Sequence, residues 1–130
     1  MLRRNLLLGV AGVAVLGVTG CATHPVSVQQ ATELPAAQLR TCIKRAAHRR
    51  GWRVVTDEPG KMRIKYVKGP HVLFADVTYD NEGYMIEAVK EGSTLFNKDG
   101  TAHRKVNSWT ANLTVTIREE ENKILLRQTN

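Results

Sequence analysis

Apolar residues recur at helical spacing in the segment that begins near Thr32 and ends at Gly51. Thr32 is a candidate N-cap, and Pro35 falls in the first turn, where its missing N–H does no harm. Gly51 is the residue type that commonly ends a helix. The core-facing positions are Ala36, Leu39, Ile43, Ala46 and Ala47. We therefore expect an amphipathic helix, with Cys42 buried on it as a small hydrophobic residue; the alternative is a reactive or intermolecular thiol.

Four strand-like runs follow this helix, and short stretches of turn residues separate them. The runs cover residues 52–56, 61–68, 71–80 and 84–91. In the second run Met62, Ile64 and Tyr66 alternate with basic residues, which is typical of a strand with one buried face. Connections this short permit antiparallel hairpins, whereas a parallel crossover needs about a dozen residues or more. The pattern therefore predicts an antiparallel sheet.

The spacing of apolar residues becomes helical again after Ala102. The positions on one face are Val106, Trp109, Leu113 and Ile117. The β-branched run at 114–116 favours a fifth strand as the alternative. With the helix preferred, the prediction is an α+β fold: an N-terminal helix, an antiparallel sheet of about four strands, and a C-terminal helix packed on the same sheet face.

The first 20 residues have the pattern of an export signal. Arg3 and Arg4 precede an uncharged apolar run over residues 6–20. As a helix this run extends only about 22 Å, which is too short for a ~30 Å hydrocarbon core. We therefore expect residues 1–20 to be a signal peptide, and a membrane span is the weaker alternative.

The sequence Val18-Thr19-Gly20-Cys21 resembles the lipobox of bacterial lipoproteins. The resemblance implies cleavage after Gly20 and a diacylglyceryl group on the thiol of Cys21. Several acyl chains would hold the protein stably in a membrane, since each buried methylene contributes ~0.8 kcal/mol. Ala22 stands where an Asp would favour the inner membrane, so the expected location is the outer membrane, facing the periplasm. The alternative is an ordinary secretory signal with an accidental cysteine.

The chain after the signal is long enough for one small domain. Residues 21–32 contain no Lys, Arg, Asp or Glu and few apolar side chains, which predicts a short lipidated tether. Residues 33–130 then form a single α+β domain. Cys42 has no second free thiol to pair with, so no disulfide within the chain is expected. The histidines are scattered and no CxxC or HExxH motif occurs, so we expect no metal site and no cofactor.

Basic residues are concentrated in the first half of this domain. Residues 40–68 contain ten Lys and Arg against two acidic residues, whereas residues 69–130 contain seven against nine. A continuous basic surface would bind phosphates, lipid head groups or an acidic protein patch. The candidate anion-binding residues are Arg40, Lys44, Arg45, Arg49, Lys61, Arg63 and Lys65. The alternative is a solvated helix face with an ordinary polar sheet face, and the export signal disfavours nucleic acid as the partner.

His103 and Asn107 lie one turn apart on the predicted C-terminal helix and form a candidate polar site. His103 is suited to donating or accepting a proton there. In the structural alternative His103 caps the helix, Asn107 bonds to a neighbouring loop and Trp109 fills the core.

Nothing else in the sequence indicates catalysis. Ser93 lacks a G-x-S-x-G context. Asp76 and Glu87 lie on adjacent predicted strands, where we expect them to face solvent opposite Arg or Lys side chains; the alternative is a pair of carboxylates. The sequence therefore predicts that the protein is not an enzyme.

Short motifs between residues 36 and 117 resemble a group of small bacterial outer-membrane lipoproteins of unknown function. The motifs are Gly51-Trp52-x-Val54, Pro59-Gly60, His71, Val77-Thr78-Tyr79, Tyr84-Met85-Ile86, Ser93-x-x-Phe96 and His103-x-x-x-Asn107-x-Trp109-x-x-x-Leu113. The group's last motif usually reads Ile-His-x-x-Tyr-Asn-x-Trp, and Ala102 and Val106 replace its Ile and Tyr here. The resemblance implies an α+β fold and an envelope location, and it carries no catalytic residue.

These patterns predict a non-enzymatic interaction module that is anchored in the cell envelope and binds an envelope protein. The first alternative is a lipoprotein that binds an anionic glycolipid or a cell-wall fragment through its basic face. The second is a hydrolase or transferase, which the lack of a recognisable nucleophile, base or metal constellation disfavours. Salt distinguishes the first alternative from the interaction module, because an anion site loses affinity steeply with salt whereas an apolar interface does not.

Overall fold

The computed structural model describes residues 27–129, which form one antiparallel sheet with two helices on one of its faces. The elements are β1 (Ser27–Ala31), α1 (Ala36–Arg49), β2 (Arg53–Glu58), β3 (Lys61–Lys68), β4 (His71–Tyr79), β5 (Gly83–Val89) and α2 (Arg104–Thr129). The strand order is β1-β5-β4-β3-β2, and every neighbouring pair is antiparallel. The predicted α+β class is therefore confirmed.

The sheet has a fifth strand that the hydrophobic pattern does not predict. β1 pairs with β5 from Ser27, opposite Glu87, to Ala31, opposite Gly83. The prediction of a tether over residues 21–32 is therefore wrong for this strand. Its sequence, SVQQA, carries little apolar character because an edge strand is held chiefly by backbone hydrogen bonds. The signal peptide, the lipobox and Cys21 lie outside the described residues.

α2 continues through residues 114–116, so the alternative of a strand there is wrong. The buried hydroxyls of Thr114 and Thr116 donate hydrogen bonds to carbonyl oxygens one turn earlier, at 2.9 and 3.0 Å. These bonds satisfy the hydroxyls inside the helix and offset the weak helix propensity of threonine. Leu113 and Ile117 are fully buried, as the helical spacing predicts.

α1 begins differently from the prediction. Its N-cap is Pro35, and Thr32 does not cap it. The backbone N–H of Ala36 instead donates to the Oδ1 atom of Asn81, in the turn between β4 and β5, at 2.8 Å. A side chain distant in sequence therefore supplies the cap, which a local pattern cannot reveal.

The end of α1 agrees with the prediction. Gly51 adopts a positive φ of 86°, which glycine tolerates best. The N–H groups of Gly51 and Trp52 donate back to the carbonyl oxygens of His48 and Ala47 at 3.1 and 2.8 Å. This pair of bonds is a Schellman motif, and it directs the chain into β2.

Strand residues alternate between the core and an open sheet face. The strand side chains that are fully buried under the helices are Met62, Ile64, Leu73, Ala75, Val77 and Ile86. On the open face, Arg63 lies opposite Asp76, and Lys65 lies opposite Phe74. The two helices and the open face are thus on opposite sides of the sheet.

Candidate functional site

The predicted anion-binding residues lie on two surfaces. Lys61, Arg63 and Lys65 point to the open face, because they alternate along β3 with the buried residues Met62 and Ile64. The other four predicted residues are Arg40, Lys44, Arg45 and Arg49, all on α1. The sheet separates the two sets, so the expectation of one continuous basic surface is wrong.

The basic residues of β3 are engaged by neighbours on the open face. Arg63 donates from Nε and Nη2 to the two carboxylate oxygens of Asp76 at 2.7 and 2.9 Å, and Lys61 Nζ lies 4.0 Å from the same group. The hydrogen bonds from Arg63 lower the pKa of Asp76, which therefore stays ionised. Lys65 Nζ lies 5.4 Å from the centre of the Phe74 ring. Asp76 thus faces basic side chains as predicted, whereas Glu87 lies directly opposite Asp76 on β5 and forms no ion pair within the described chain.

A second carboxylate neutralises the start of α1. Asp57 on β2 accepts from Arg40 Nη2 at 2.5 Å and lies 3.2 Å from Lys44 Nζ. The hydrogen bond from Arg40 lowers the pKa of Asp57. This cluster connects α1 to the edge strand, and it leaves Arg40 already paired.

A groove of about 540 Å³ lies between α1 and α2, and it is basic. Its lining residues are Lys44, Arg45, His48, Arg49, Glu120, Lys123 and Arg127. Five Lys and Arg side chains and one Glu line it, and two carboxylates beside it are also paired with groove cations: Asp57 with Lys44 at 3.2 Å and Glu119 with Arg49 at 3.0 Å. With these carboxylates included, the net charge is +2. Arg45 and Arg49 are one helical turn apart, as are Lys123 and Arg127, so each pair shares a helix face. We call this site the α1–α2 groove.

Glu120 holds two of the cations of the groove in place. Its carboxylate is 4% exposed and accepts from Arg49 Nη1 at 2.9 Å and from Lys123 Nζ at 3.1 Å. Burial acts to raise the pKa of Glu120, but the hydrogen bonds from Lys123 and Arg49 outweigh it, and the pKa is lowered. Glu120 therefore stays charged and orients both partners. Among residues 27–129, Arg45 and Arg127 form no ion pair, so their charge is available to a ligand.

Three groove residues were predicted from the sequence, namely Lys44, Arg45 and Arg49. Lys123 and Arg127 were missed, because their proximity to α1 depends on how two helices distant in sequence pack. The only local signal is the spacing of Glu120, Lys123 and Arg127, which places them along one side of α2.

The candidate polar site at the start of α2 has a structural role. His103 Nδ1 accepts from the backbone N–H of Lys105 at 3.0 Å, which confirms the capping alternative. Asn107 is exposed, and its side chain has no hydrogen bond within the described chain, so the predicted loop contact is wrong. Trp109 packs against the core, with its ring 4.6 Å from that of Tyr66.

Ser93 has a structural role, because its hydroxyl connects the loop after β5 to the backbones of β4 and β5. Its hydroxyl donates to the carbonyl oxygen of Val89 at 2.5 Å and accepts from the N–H of Phe74 at 2.8 Å. The hydroxyl is thus occupied by backbone groups. Within residues 27–129, no three His, Cys, Asp or Glu side chains are grouped as metal ligands, and no helix is long and apolar enough to cross a membrane.

A buried carboxylate on α2 faces the start of the domain. Glu121 is 8% exposed, and the hydroxyl of Thr32 donates to it at 2.5 Å. Burial raises the pKa of Glu121 above its ordinary value of 4.5, although the hydrogen bond from Thr32 opposes the shift. Cys42 is 1% exposed, as predicted, and burial together with the charge of Glu121 raises its pKa to about 11. The thiol is therefore unreactive.

Replacing Glu121 with Gln is expected to preserve or raise stability at neutral pH. Because the pKa of Glu121 is higher in the folded chain than in the unfolded one, its favourable contribution is complete below pH 4.5 and is lost as pH rises through the folded pKa. In urea unfolding between pH 4 and 7, the free energy of unfolding of the Glu121→Gln variant should therefore increase relative to that of the parent protein as pH rises. A Glu87→Gln control on the open face should show the same pH dependence of stability as the parent protein. A Glu121→Gln variant that becomes less stable relative to the parent towards pH 7 would contradict this account.

The sequence matches no protein-family model, and it matches no curated protein. The resemblance to envelope lipoproteins therefore stays a prediction.

Proposed function

We propose that the protein is a non-enzymatic binding module of the bacterial cell envelope that recognises anionic groups through the α1–α2 groove. A lipid anchor on Cys21 would hold it at the outer membrane, facing the periplasm. The observation that carries the proposal is the convergence of five basic side chains on two packed helices, around one buried carboxylate that orients Arg49 and Lys123.

An acidic segment of an envelope protein fits this groove best. The groove is open, and its cations are spaced along two antiparallel helices, which suits a chain with several carboxylates. The exposed large apolar side chains of the described chain are Val55, Val67, Val115 and Leu126. None of them lines the groove, so the site has no apolar anchor and depends on charge. An anionic glycolipid or a cell-wall fragment is the alternative occupant, since it presents the same phosphate or carboxylate chemistry.

Reversing two groove charges is expected to abolish anion binding. In the Arg45→Glu/Arg127→Glu variant, the two groove cations that form no ion pair are replaced by repulsive carboxylates, so an acidic octapeptide should lose at least about tenfold in affinity. The measurement is an NMR titration of the mature chain at low salt, which should shift the amides of residues 44–49 and 120–127. Lipopolysaccharide and soluble cell-wall fragments, titrated in parallel, distinguish the two occupants.

The matched control is Lys68→Glu/Arg104→Glu, which makes the same change in net charge away from the groove. It should keep the parent affinity for the peptide. Equal losses in both variants would mean that only overall charge matters, and amide shifts confined to the open sheet face would place the site elsewhere. Either result would refute the groove as the recognition site.

A further inference from the structure

Charge is distributed unevenly along the strand axis. At the end of the sheet where β4 begins, which we call the His71 end, the exposed cations are Arg53, Lys68, Lys90, Lys98, Arg104 and Lys105. They face two carboxylates, Glu91 and Asp99, which gives a net charge of +4. At the opposite, Tyr79 end, Glu33, Glu58, Asp80 and Glu82 face Lys61, which gives −3. The two ends of the domain thus carry opposite charge.

The cations of the His71 end are only partly compensated: Lys90 is close enough to Asp99 to help lower the pKa of that carboxyl group. Within the described chain, none of the six forms an ion pair. The loop after β5 contributes to this end, because the ring of His103 lies 6.4 Å from that of His71. β3 and β4 add an exposed hairpin tip here, at residues 68–71. This end therefore combines unpaired positive charge with a projecting turn.

The start of β1 limits how far the domain can stand from its proposed anchor. Ser27 is level with Asp76, because both pair with Glu87. Five strand positions separate Asp76 from His71, so the His71 end lies about 17 Å from the level of Ser27. Five residues lie between Cys21 and Ser27, so the six Cα–Cα steps from one to the other span at most about 22 Å. β1 runs from Ser27 towards the Tyr79 end, so Ser27 is the residue of β1 nearest to the His71 end.

From these observations we infer that the His71 end docks on an anionic phospholipid surface next to the anchor. This inference rests on the lipid anchor of the proposed function. The short connection keeps the domain at the bilayer, the start of β1 is the part of that strand nearest to the His71 end, and phospholipid head groups attract the unpaired cations. The acidic Tyr79 end then faces away from the membrane, and the α1–α2 groove is left accessible to its partner.

The test compares two prolines at the tips of hairpins, Pro70 at the His71 end and Pro59 at the Tyr79 end. Each is replaced by Cys in the acylated mature protein and labelled with a bimane fluorophore; the buried Cys42 is protected by its position and its raised pKa. The labelled proteins are reconstituted in vesicles that contain a lipid with a nitroxide-labelled head group. In the anionic vesicles one of every four other lipids is phosphatidylglycerol and the rest are phosphatidylethanolamine. In the uncharged vesicles all the other lipids are phosphatidylcholine. On anionic vesicles, the Pro70→Cys probe should be quenched several-fold more than the Pro59→Cys probe.

Charge reversal provides the matched variants. Lys68→Glu/Arg104→Glu should remove the difference between the two probes, as should phosphatidylcholine vesicles or 1 M NaCl. A glutamate at the first residue of α2 is favourable to the helix dipole, so this variant should fold. The groove variant Arg45→Glu/Arg127→Glu should keep the difference. Three results would overturn the inference: equal quenching of the two probes on anionic vesicles, stronger quenching at Pro59→Cys, or the same quenching on anionic and phosphatidylcholine vesicles.

Flotation of the same vesicles in 1 M NaCl separates this inference from the anchor on which it rests. The parent protein should float with the vesicles, and a Cys21→Ser variant should not. A parent protein that does not float refutes the anchor and the docking together. A parent that floats without the difference between the probes refutes the docking alone.

Discussion

Replacing Leu113 with alanine is expected to lower the free energy of unfolding by about 3 to 5 kcal/mol. Leu113 is fully buried where α2 meets the core beneath the sheet, so the substitution removes apolar contacts and leaves a cavity. A domain of this size is commonly stable by only about 5 to 15 kcal/mol, so the loss is a large fraction of the total. Urea or thermal unfolding followed by circular dichroism measures it.

The same substitution elsewhere on α2 provides the control. Leu126 is 64% exposed, and Leu126→Ala should change the stability by no more than about 0.5 kcal/mol. If the two variants unfolded alike, α2 would not be packed on the sheet by the face that contains Leu113.

Replacing Gly83 with alanine is expected to detach β1 from the sheet. A Cβ atom at this position would lie 2.2 Å from the carbonyl oxygen of Gln30 and 3.0 Å from the Cα of Ala31. Both are backbone atoms of β1, so the clash can be relieved only by moving that strand. We expect a loss of about 1 to 3 kcal/mol and fast hydrogen exchange in β1.

Gly69→Ala is the matched control for this clash. Its Cβ would meet nothing within 4 Å, although φ is +58° and the substitution is therefore strained. It should lower stability modestly and leave the exchange of β1 unchanged. Slow exchange in β1 of the Gly83→Ala variant would show that β1 does not pair with β5 as described.

The sheet was predictable because its strands carry their own pattern. In β3, buried Met62 and Ile64 alternate with Lys61 and Arg63, and the turns between strands are short enough to force antiparallel pairing. β1 was missed because an edge strand needs backbone hydrogen bonds rather than an apolar run. Alternation along one strand is local information, whereas pairing at an edge depends on the whole sheet.

The groove was predictable only in part. Helical spacing identifies the basic side of α1. It does not indicate which residues of α2 lie across the groove from that side. The concentration of basic residues over positions 40–68 suggested one surface for Arg40 and Arg63, because the sequence carries no information on which side of the sheet the helix packs. Glu120 and Glu121 adjoin in sequence, yet Glu120 orients the groove while Glu121 faces Thr32, and only the packing of α2 separates these roles.

The most direct test of the central claim is photo-crosslinking from the α1–α2 groove in intact envelopes. In one variant a photoreactive amino acid replaces His48, which lines the groove. In a second variant of the same protein it replaces Val67, which is 54% exposed on β3. The expected result is an adduct from position 48 with an envelope protein that contains an acidic segment, identified by mass spectrometry and lost in the Arg45→Glu/Arg127→Glu background. An adduct that persists in that background, or one that forms from position 67 and not from position 48, would contradict recognition through the groove.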